Sequence, residues 1–523
     1  MNVLRANVVK QGRLHRFSGC ISSALTIFCF IGFNPIYAAT TGKKEATTNL
    51  SSTLANPARP TTCTSLKDFA TTDCQLTWKG IRLYGTLDYG AGWLSHGSSM
   101  SPISPQGQLY LIQKANNESR WGRAPNAMSQ SNIGIKGTEA INPKLDAVFD
   151  VEAGFNPYTF RLANGPRSVR DNAGIPLDHQ DGLTDSSRAG QFYNSVGYVG
   201  FSSKTYGTLT FFRQNTLTLD GVGAYDPMST SYAFSPIEWS GMTAGGGNTE
   251  NTRATMSAKY RLDKNPIRLA AFWQLGGYQW NNAATNGGQG QIGVDIATVC
   301  NGTLSFDAIG SYFRNSVSNS LAGAPLDSAG QPVPPFLPQV YTATLSNNSS
   351  AMGLAKYSKG ALKLFLGYEW IRFARPSKSF ANHEGFRDIS GTFVCSGCTA
   401  INNTNISTTA FGVNGLGNKY INISWIGAKY TVAQNVDIIG AYYNYYQPSY
   451  FGTAAKGRMS CSGREHAQCS GSMNAISAAV DWTIVPKFDL YAGAMYSQVN
   501  GGLANGYLNR RNIDPTIGIR IRV

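Results

Sequence analysis

The sequence predicts an all-β fold: a sixteen-stranded antiparallel transmembrane β-barrel with an inward-folded third loop. Three observations predict it. Segments that alternate apolar and polar residues recur from about residue 80 to residue 523. The connections between them alternate strictly between short and long. After residue 38 no stretch offers the roughly 18–20 apolar residues of a spanning helix. In lipid every backbone polar group must be paired within the protein, so a spanning sheet must close on itself.

The chain begins with Arg5, Lys10, Arg13 and Arg16 and no acid, followed by an apolar run over 21–33 and a small-residue exit at Ala38-Ala39. That is an export signal, with cleavage expected after Ala38, and residues 1–38 are set apart from the fold. The formal charge of +15 loses those four cations, leaving 15 − 4 = +11. A basic balance points to nucleic acid, an anionic surface or an anionic solute. Export and the dispersed placement of the charges argue against nucleic acid.

Nine cysteines occur, and Cys20 and Cys29 leave with the signal. Export makes disulfides permissible. Close spacing makes Cys63 with Cys74, Cys395 with Cys398, and Cys461 with Cys469 the candidate pairs, although spacing alone does not decide connectivity. Cys300 is left over. It is expected in a periplasmic turn, within reach of Cys63 or Cys74. Cys395-Ser-Gly-Cys398 has redox or zinc spacing but lacks a second ligand pair, so a loop staple is the better reading. No metal and no cofactor are expected.

Residues 39–78 are rich in Thr, Ser and Ala and show no periodicity. They read as a flexible periplasmic extension. The barrel, 79–523, starts where Ile81, Leu83, Leu87, Tyr89 and Trp93 alternate with Arg82, Tyr84, Thr86, Asp88 and Gly90. Successive side chains of a strand point to opposite faces, which makes one face apolar and the other polar. Strands are predicted near 80–93, 130–139, 143–155, 191–202, 206–213, 251–261, 266–279, 290–299, 302–314, 350–358, 361–373, 420–431, 435–446, 473–483, 487–498 and 513–523. Most reach the roughly 9–11 residues of a tilted membrane strand. The short connections lie on one side and the long ones on the other, as in outer-membrane barrels. A soluble sandwich has no reason to sort its loops this way.

Face assignment is clearest late in the chain. Leu362, Leu364, Leu366, Tyr368 and Trp370 alternate with Lys363 and Glu369. Ile517, Ile519, Ile521 and Val523 alternate with Gly518, Arg520 and Arg522. Apolar positions face lipid, and charged ones face water. The segment 206–213 breaks the pattern, because Leu209, Phe211 and Arg213 share a parity. Either a bulge re-aims Arg213 or the strand ends before it.

The long connection 214–250 is rich in Gly, Ser, Thr and Asn and carries Asp220, Asp226 and Glu238. Loops of this length inside a compact fold are usually functional or disordered. It reads as a segment folded into the barrel to narrow a water-filled pore; the competing reading is an exposed surface loop.

Several pieces now match a family. They are Leu83-Tyr84-Gly85, Ile133-Gly134-Ile135-Lys136-Gly137-Thr138-Glu139, Val199-Gly200-Phe201, Tyr206-Gly207-Thr208-Leu209 and Arg213-Gln214. In this order, within sixteen strands, the chain resembles the Gram-negative general porins over roughly 79–523. The resemblance implies a homotrimer in the outer membrane, in contact with its lipid and lipopolysaccharide. It implies a channel for passive diffusion of small hydrophilic solutes and ions. It also implies a third loop whose acids face a basic ladder. Arg213 and Arg253 match basic wall positions. Arg82 and Lys136 share the inward parity and join the candidate ladder, opposite Asp220, Asp226 and Glu238. Two departures stand out: Asn132 where relatives often carry arginine, and Val523 where they usually carry an aromatic residue.

The surplus of cations makes a mild preference for anions the expectation. Enzymatic activity is not expected. The four histidines after residue 38 (His96, His179, His383 and His466) fall in predicted long loops. Neither a nucleophile elbow nor a phosphate-binding loop is found. Two further readings stay open. A solute-specific channel, for a sugar or an organic anion, would use Tyr443, Tyr445 and Tyr491, which face inward by parity. A surface adhesin would use loops 315–349 and 374–419.

Overall fold

The computed structural model describes residues 62–97, 118–158, 160, 162, 193, 195–229, 231–237, 253–275, 286–321, 341–374, 393–396, 418–449, 469–504 and 509–523. The expected export signal, residues 39–61, Glu238, Cys398 and Cys461 lie outside these, as does the side chain of Cys395.

Sixteen strands form the wall: β1 (Ile81–Gly97), β2 (Asn132–Asn142), β3 (Leu145–Gly154), β4 (Val196–Ser203), β5 (Gly207–Asn215), β6 (Arg253–Lys264), β7 (Ile267–Gln274) and β8 (Asn286–Val299). The second half is β9 (Gly302–Leu321), β10 (Tyr341–Lys359), β11 (Leu362–Ala374), β12 (Lys419–Ala433), β13 (Val436–Gln447), β14 (Gly471–Val485), β15 (Phe488–Gly501) and β16 (Thr516–Arg522). Each pairs antiparallel with the next. The ring closes where β16 lies between β15 and β1, with Leu490 opposite Ile519 and Tyr89 opposite Ile519. Closure leaves no open edge, which is what a spanning sheet requires.

The short connections are tight hairpins. At 300–301, Cys300 (φ 48°) and Asn301 (φ 62°) both take the left-handed conformation. That matches the twist of the flanking strands. One parity of the wall is apolar and exposed around the ring, at Ile133, Val199, Leu269, Ile292, Leu366, Tyr368, Ile426, Ile476 and Ile517 among others. Apolar side chains left in the open over a whole barrel surface are stable only against lipid. The other parity is buried, and it carries Asp88, Glu369 and Asp489.

Three expectations need correction. Several strands run further than the apolar alternation. β1 continues to Gly97 and places His96 on a strand. β9 and β10 stay paired out to Leu321 opposite Tyr341, inside the expected loop 315–349. Backbone pairing needs no apolar face once both faces leave the lipid, so polar Ser, Thr and Asn runs extend the ladder unmarked. Residues 62–78 of the extension are folded rather than flexible. They hold a helix α1 (Leu66–Thr71), a disulfide between Cys63 and Cys74 and a short strand, Leu76–Trp78. That disulfide also removes both proposed partners of Cys300, which like Cys469 is disulfide-bonded to a partner outside the described side chains.

Candidate functional site

The site begins at the irregular end of β5. Leu209 and Phe211 are exposed, at 37% and 36%, and Phe212 is 58% exposed. Phe212 has φ 86°, and the ladder to β6 slips between Phe212 and Gln214. This bulge turns Arg213 to the buried parity, at 4% exposure. Of the two alternatives for the broken alternation, the bulge is the one realised. Ser257 pins it by donating its hydroxyl to the Phe212 carbonyl at 2.7 Å, and the Gln214 amide donates to Ser257 Oγ at 3.2 Å.

Thr216 then caps a helix, α2 (Leu217–Tyr225), with its side chain accepting from the Leu219 N–H. Gln289 of β8 completes the cap: its Oε1 accepts from the Leu217 N–H at 2.6 Å, and its Nε2 donates to Thr218 Oγ1. These groups satisfy donors that a helix start otherwise leaves open. The helix lies against β7–β11. A Cβ at Gly221 would lie 2.7 Å from Ile309 Cδ1 and 2.9 Å from Leu354 Cδ1, so a larger residue here would require those side-chain ends to shift.

The helix ends in polar anchors. Tyr225 donates its hydroxyl to Asp307 of β9. Burial raises the Tyr225 phenol well above its ordinary range, reinforced by the charge of Asp307. Lys356 of β10 donates to the Ala224 carbonyl at 3.3 Å and lies 5.1 Å from the centre of the Tyr225 ring. A cation beside the last carbonyls complements the helix dipole. Trp425 of β12 donates to the Tyr225 carbonyl at 3.0 Å.

The chain continues against the same wall parity through residue 237. Tyr443 donates to Asp226 at 2.6 Å, Tyr445 to the Pro236 carbonyl at 3.0 Å, and Ser477 to the Phe234 carbonyl at 2.6 Å. On its other side, the Ala233 N–H donates to the Ala127 carbonyl at 2.9 Å, and Tyr232 donates to Gln130 at 2.7 Å. Ile309, Met352, Leu354, Ile371, Ile421, Ile423 and Trp425 pack with Leu217, Val222, Met228, Phe234 and Ile237 in one buried cluster. Alternation alone marks this wall parity as polar, whereas the structure places an apolar cluster on it. The signal was present: β12 is apolar on both parities at Ile421, Ile423, Trp425 and Ile426.

The candidate charges fall into separate groups. Asp220, in the first turn of α2, pairs with Lys259 and, at 2.8 Å, with Arg261, both on β6. Neither is among the residues that the sequence singles out, although both share the buried parity of Ser257. Arg213 and Arg253 sit at the root of the segment, where Asn215 lies opposite Arg253. Arg82 and Lys136 face one another across β1 and β2. Lys136 lies 4.8 Å from the Tyr84 ring, and Tyr84 donates to Asp150 at 2.6 Å. Asp226 accepts from the Tyr443 hydroxyl at 2.6 Å. Elsewhere Arg268 bridges Asp295 and Asp307, Lys429 meets Asp437, and Arg520 joins Asp481 and Asp489. Many wall cations are thus matched by carboxylates.

A family profile described as Gram-negative porin matches residues 69–502. An outer membrane porin protein of Bordetella pertussis is 24% identical over 152 residues. That match covers 29% of this chain and 32% of the relative, so it spans about a third of the relative's length. Among solved structures, the anion-selective porin from Comamonas acidovorans is 14% identical, with a TM-score of 0.49, over 85% of this chain and 99% of that one. OmpT of Vibrio cholerae is 12% identical, with a TM-score of 0.48, over 86% and 99%. The OmpF complex with daunomycin from Salmonella typhi is 13% identical, with a TM-score of 0.45, over 85% and 97%. The profile match alone, which spans well over half of the sequence and nearly all of the barrel, makes the assignment: the chain belongs to the Gram-negative porin family, and its barrel is one of the outer membrane.

Proposed function

We propose that this porin is a water-filled channel for passive diffusion of small hydrophilic solutes and ions, with a mild preference for anions. In this reading the third loop, 214–250, folds into the barrel and sets its constriction. The observation that carries it is the burial of most of residues 216–228 and of 231–237 against the wall parity opposite the lipid face, held by Trp425, Tyr443, Tyr445 and Ser477. Charged side chains around a pore set selectivity at close range. Water in the lumen screens each charge over about 8–10 Å at ordinary salt, so the preference is small. Arg82, Lys136, Arg213 and Arg253 are the cations of the constriction. Asp220, Asp226 and Glu238 are its acids, with Lys259 and Arg261 added as the partners of Asp220.

The same reading takes the functional unit as a homotrimer without enzymatic activity, its apolar parity against lipid and lipopolysaccharide. Residues 1–38 serve as the export signal and 39–78 as a periplasmic extension. The solute-specific alternative is weakened, because the hydroxyls of Tyr443, Tyr445 and Tyr491 are engaged by Asp226, Pro236 and Asp88. Purified protein in planar bilayers tests the proposal. Ohmic single-channel steps and a small anion-directed reversal potential in a potassium chloride gradient are expected. Absence of conductance would overturn it, and saturation by one sugar or organic anion would favour the specific channel.

A further inference from the structure

We propose that residues 62–78 form a disulfide-closed clamp that completes the β1–β16 seam beyond the end of β16. The inference goes beyond the channel reading and does not depend on it.

At the seam, Arg522 lies opposite Thr86. Val523 donates to the Gly85 carbonyl at 2.8 Å, and the Gly85 N–H donates back at 3.3 Å. There β16 leaves the ladder, while β1 continues for four more residues, Ile81–Tyr84. Along Ile81–Leu83 its other edge is held by β2, with Ile81 opposite Gly137 and Leu83 opposite Ile135. The edge facing the seam would be bare, and a bare strand edge is a site for wrong pairing. Leu76–Trp78 covers it. Leu76 lies opposite Leu83, Thr77 opposite Arg82 and Trp78 opposite Ile81, all antiparallel. This short strand therefore runs in the same direction as β16 and takes up its line, with only Tyr84 of β1 between the two.

Three contacts keep the short strand there. The turn Lys79-Gly80 has φ 47° and 81°, the pair of positive angles that closes a tight hairpin. The Cys63–Cys74 disulfide, with Cα atoms 4.9 Å apart, ties the other end to α1 and shortens the freedom of the chain before Leu76. Lys487, in the turn between β14 and β15, donates to the Cys74 carbonyl at 2.8 Å and lies 3.7 Å from the centre of the Phe69 ring. The carbonyl of the same Lys487 accepts from the Arg522 N–H at 2.9 Å. One turn residue thus holds both the clamp and the end of β16. Release of the clamp should open the seam from this end and leave the far wall untouched.

Hydrogen–deuterium exchange of the detergent-solubilised full chain tests this. In a Cys63→Ser/Cys74→Ser variant, amides over 81–85 and at Val523 should exchange about tenfold faster than in the parent, with β11 and β12 unchanged. A Lys487→Met variant, which keeps the disulfide, should show the same local change and stands in if the double variant does not fold. Unchanged seam exchange in both variants overturns the proposal. So does equal acceleration in β11 and β12, which would mean general loss of stability and not a clamp.

Discussion

Trp425 and Tyr225 are two hundred residues apart, yet the Trp425 indole N–H donates to the Tyr225 carbonyl at 3.0 Å. The bond joins the last turn of α2 to β12, in the middle of the apolar cluster that fixes residues 216–237. It is the contact whose loss should report most directly on whether that segment sets the pore.

Replacing Trp425 by Ala removes both the bond and a large buried side chain. Large aromatic truncations in packed interiors cost about 3–5 kcal/mol, so the midpoint of denaturant unfolding should fall. Open-channel noise should rise as the segment loosens. Trp425→Phe keeps most of the volume and leaves one carbonyl unpaired, at about 1–3 kcal/mol. Quiet channels of parental conductance in Trp425→Ala would separate this segment from the constriction.

Asp220 pairs with two cations, Lys259 and Arg261. Asp220→Asn removes one negative charge beside them and should move the reversal potential further towards anions. The effect should shrink between about 0.1 M and 1 M salt, as the screening length falls from about 10 Å to 3 Å. A shift towards cations would contradict the sign assigned to this site.

Arg213 and Arg253 should act in the opposite sense. Their joint replacement by Gln should shift the reversal potential towards cations while heat-modifiable migration on gels shows a folded barrel. An unchanged potential would remove both from the constriction and with it a main support for the role of loop 214–250.

Helix α1 should be acid-sensitive. The Thr64 N–H, followed by the Thr72 hydroxyl, holds the exposed Asp68 carboxyl below its usual range. A lowered folded value means that its contribution is present above about pH 3.9, the ordinary carboxylate value, and is lost as pH falls through the lower folded value. Amide exchange, corrected for its intrinsic pH dependence, should show Asp68, Phe69 and Thr72 losing protection in that acid window while β11 keeps its own. Asp68→Asn should abolish the pH response.

The sequence by itself determined the barrel: its strand count, the sorting of its connections and its lipid face. Lipid imposes one rule on every strand, so Leu366, Tyr368, Ile426 and Ile517 mark the outer parity locally, and most strands repeat it. The opposite parity obeys no such uniform rule, because what a side chain meets there depends on which distant segment is packed against it. Tertiary structure therefore decided that Ile421, Ile423 and Trp425 meet residues 217–237 and not water. It decided that Asp220 takes Lys259 and Arg261 as partners, and that a bulge at Phe212 turns Arg213 away from the face of Leu209 and Phe211. The fold of residues 62–78 was hidden for the same reason: Leu76–Trp78 becomes a strand only because β1 offers it an unpaired edge.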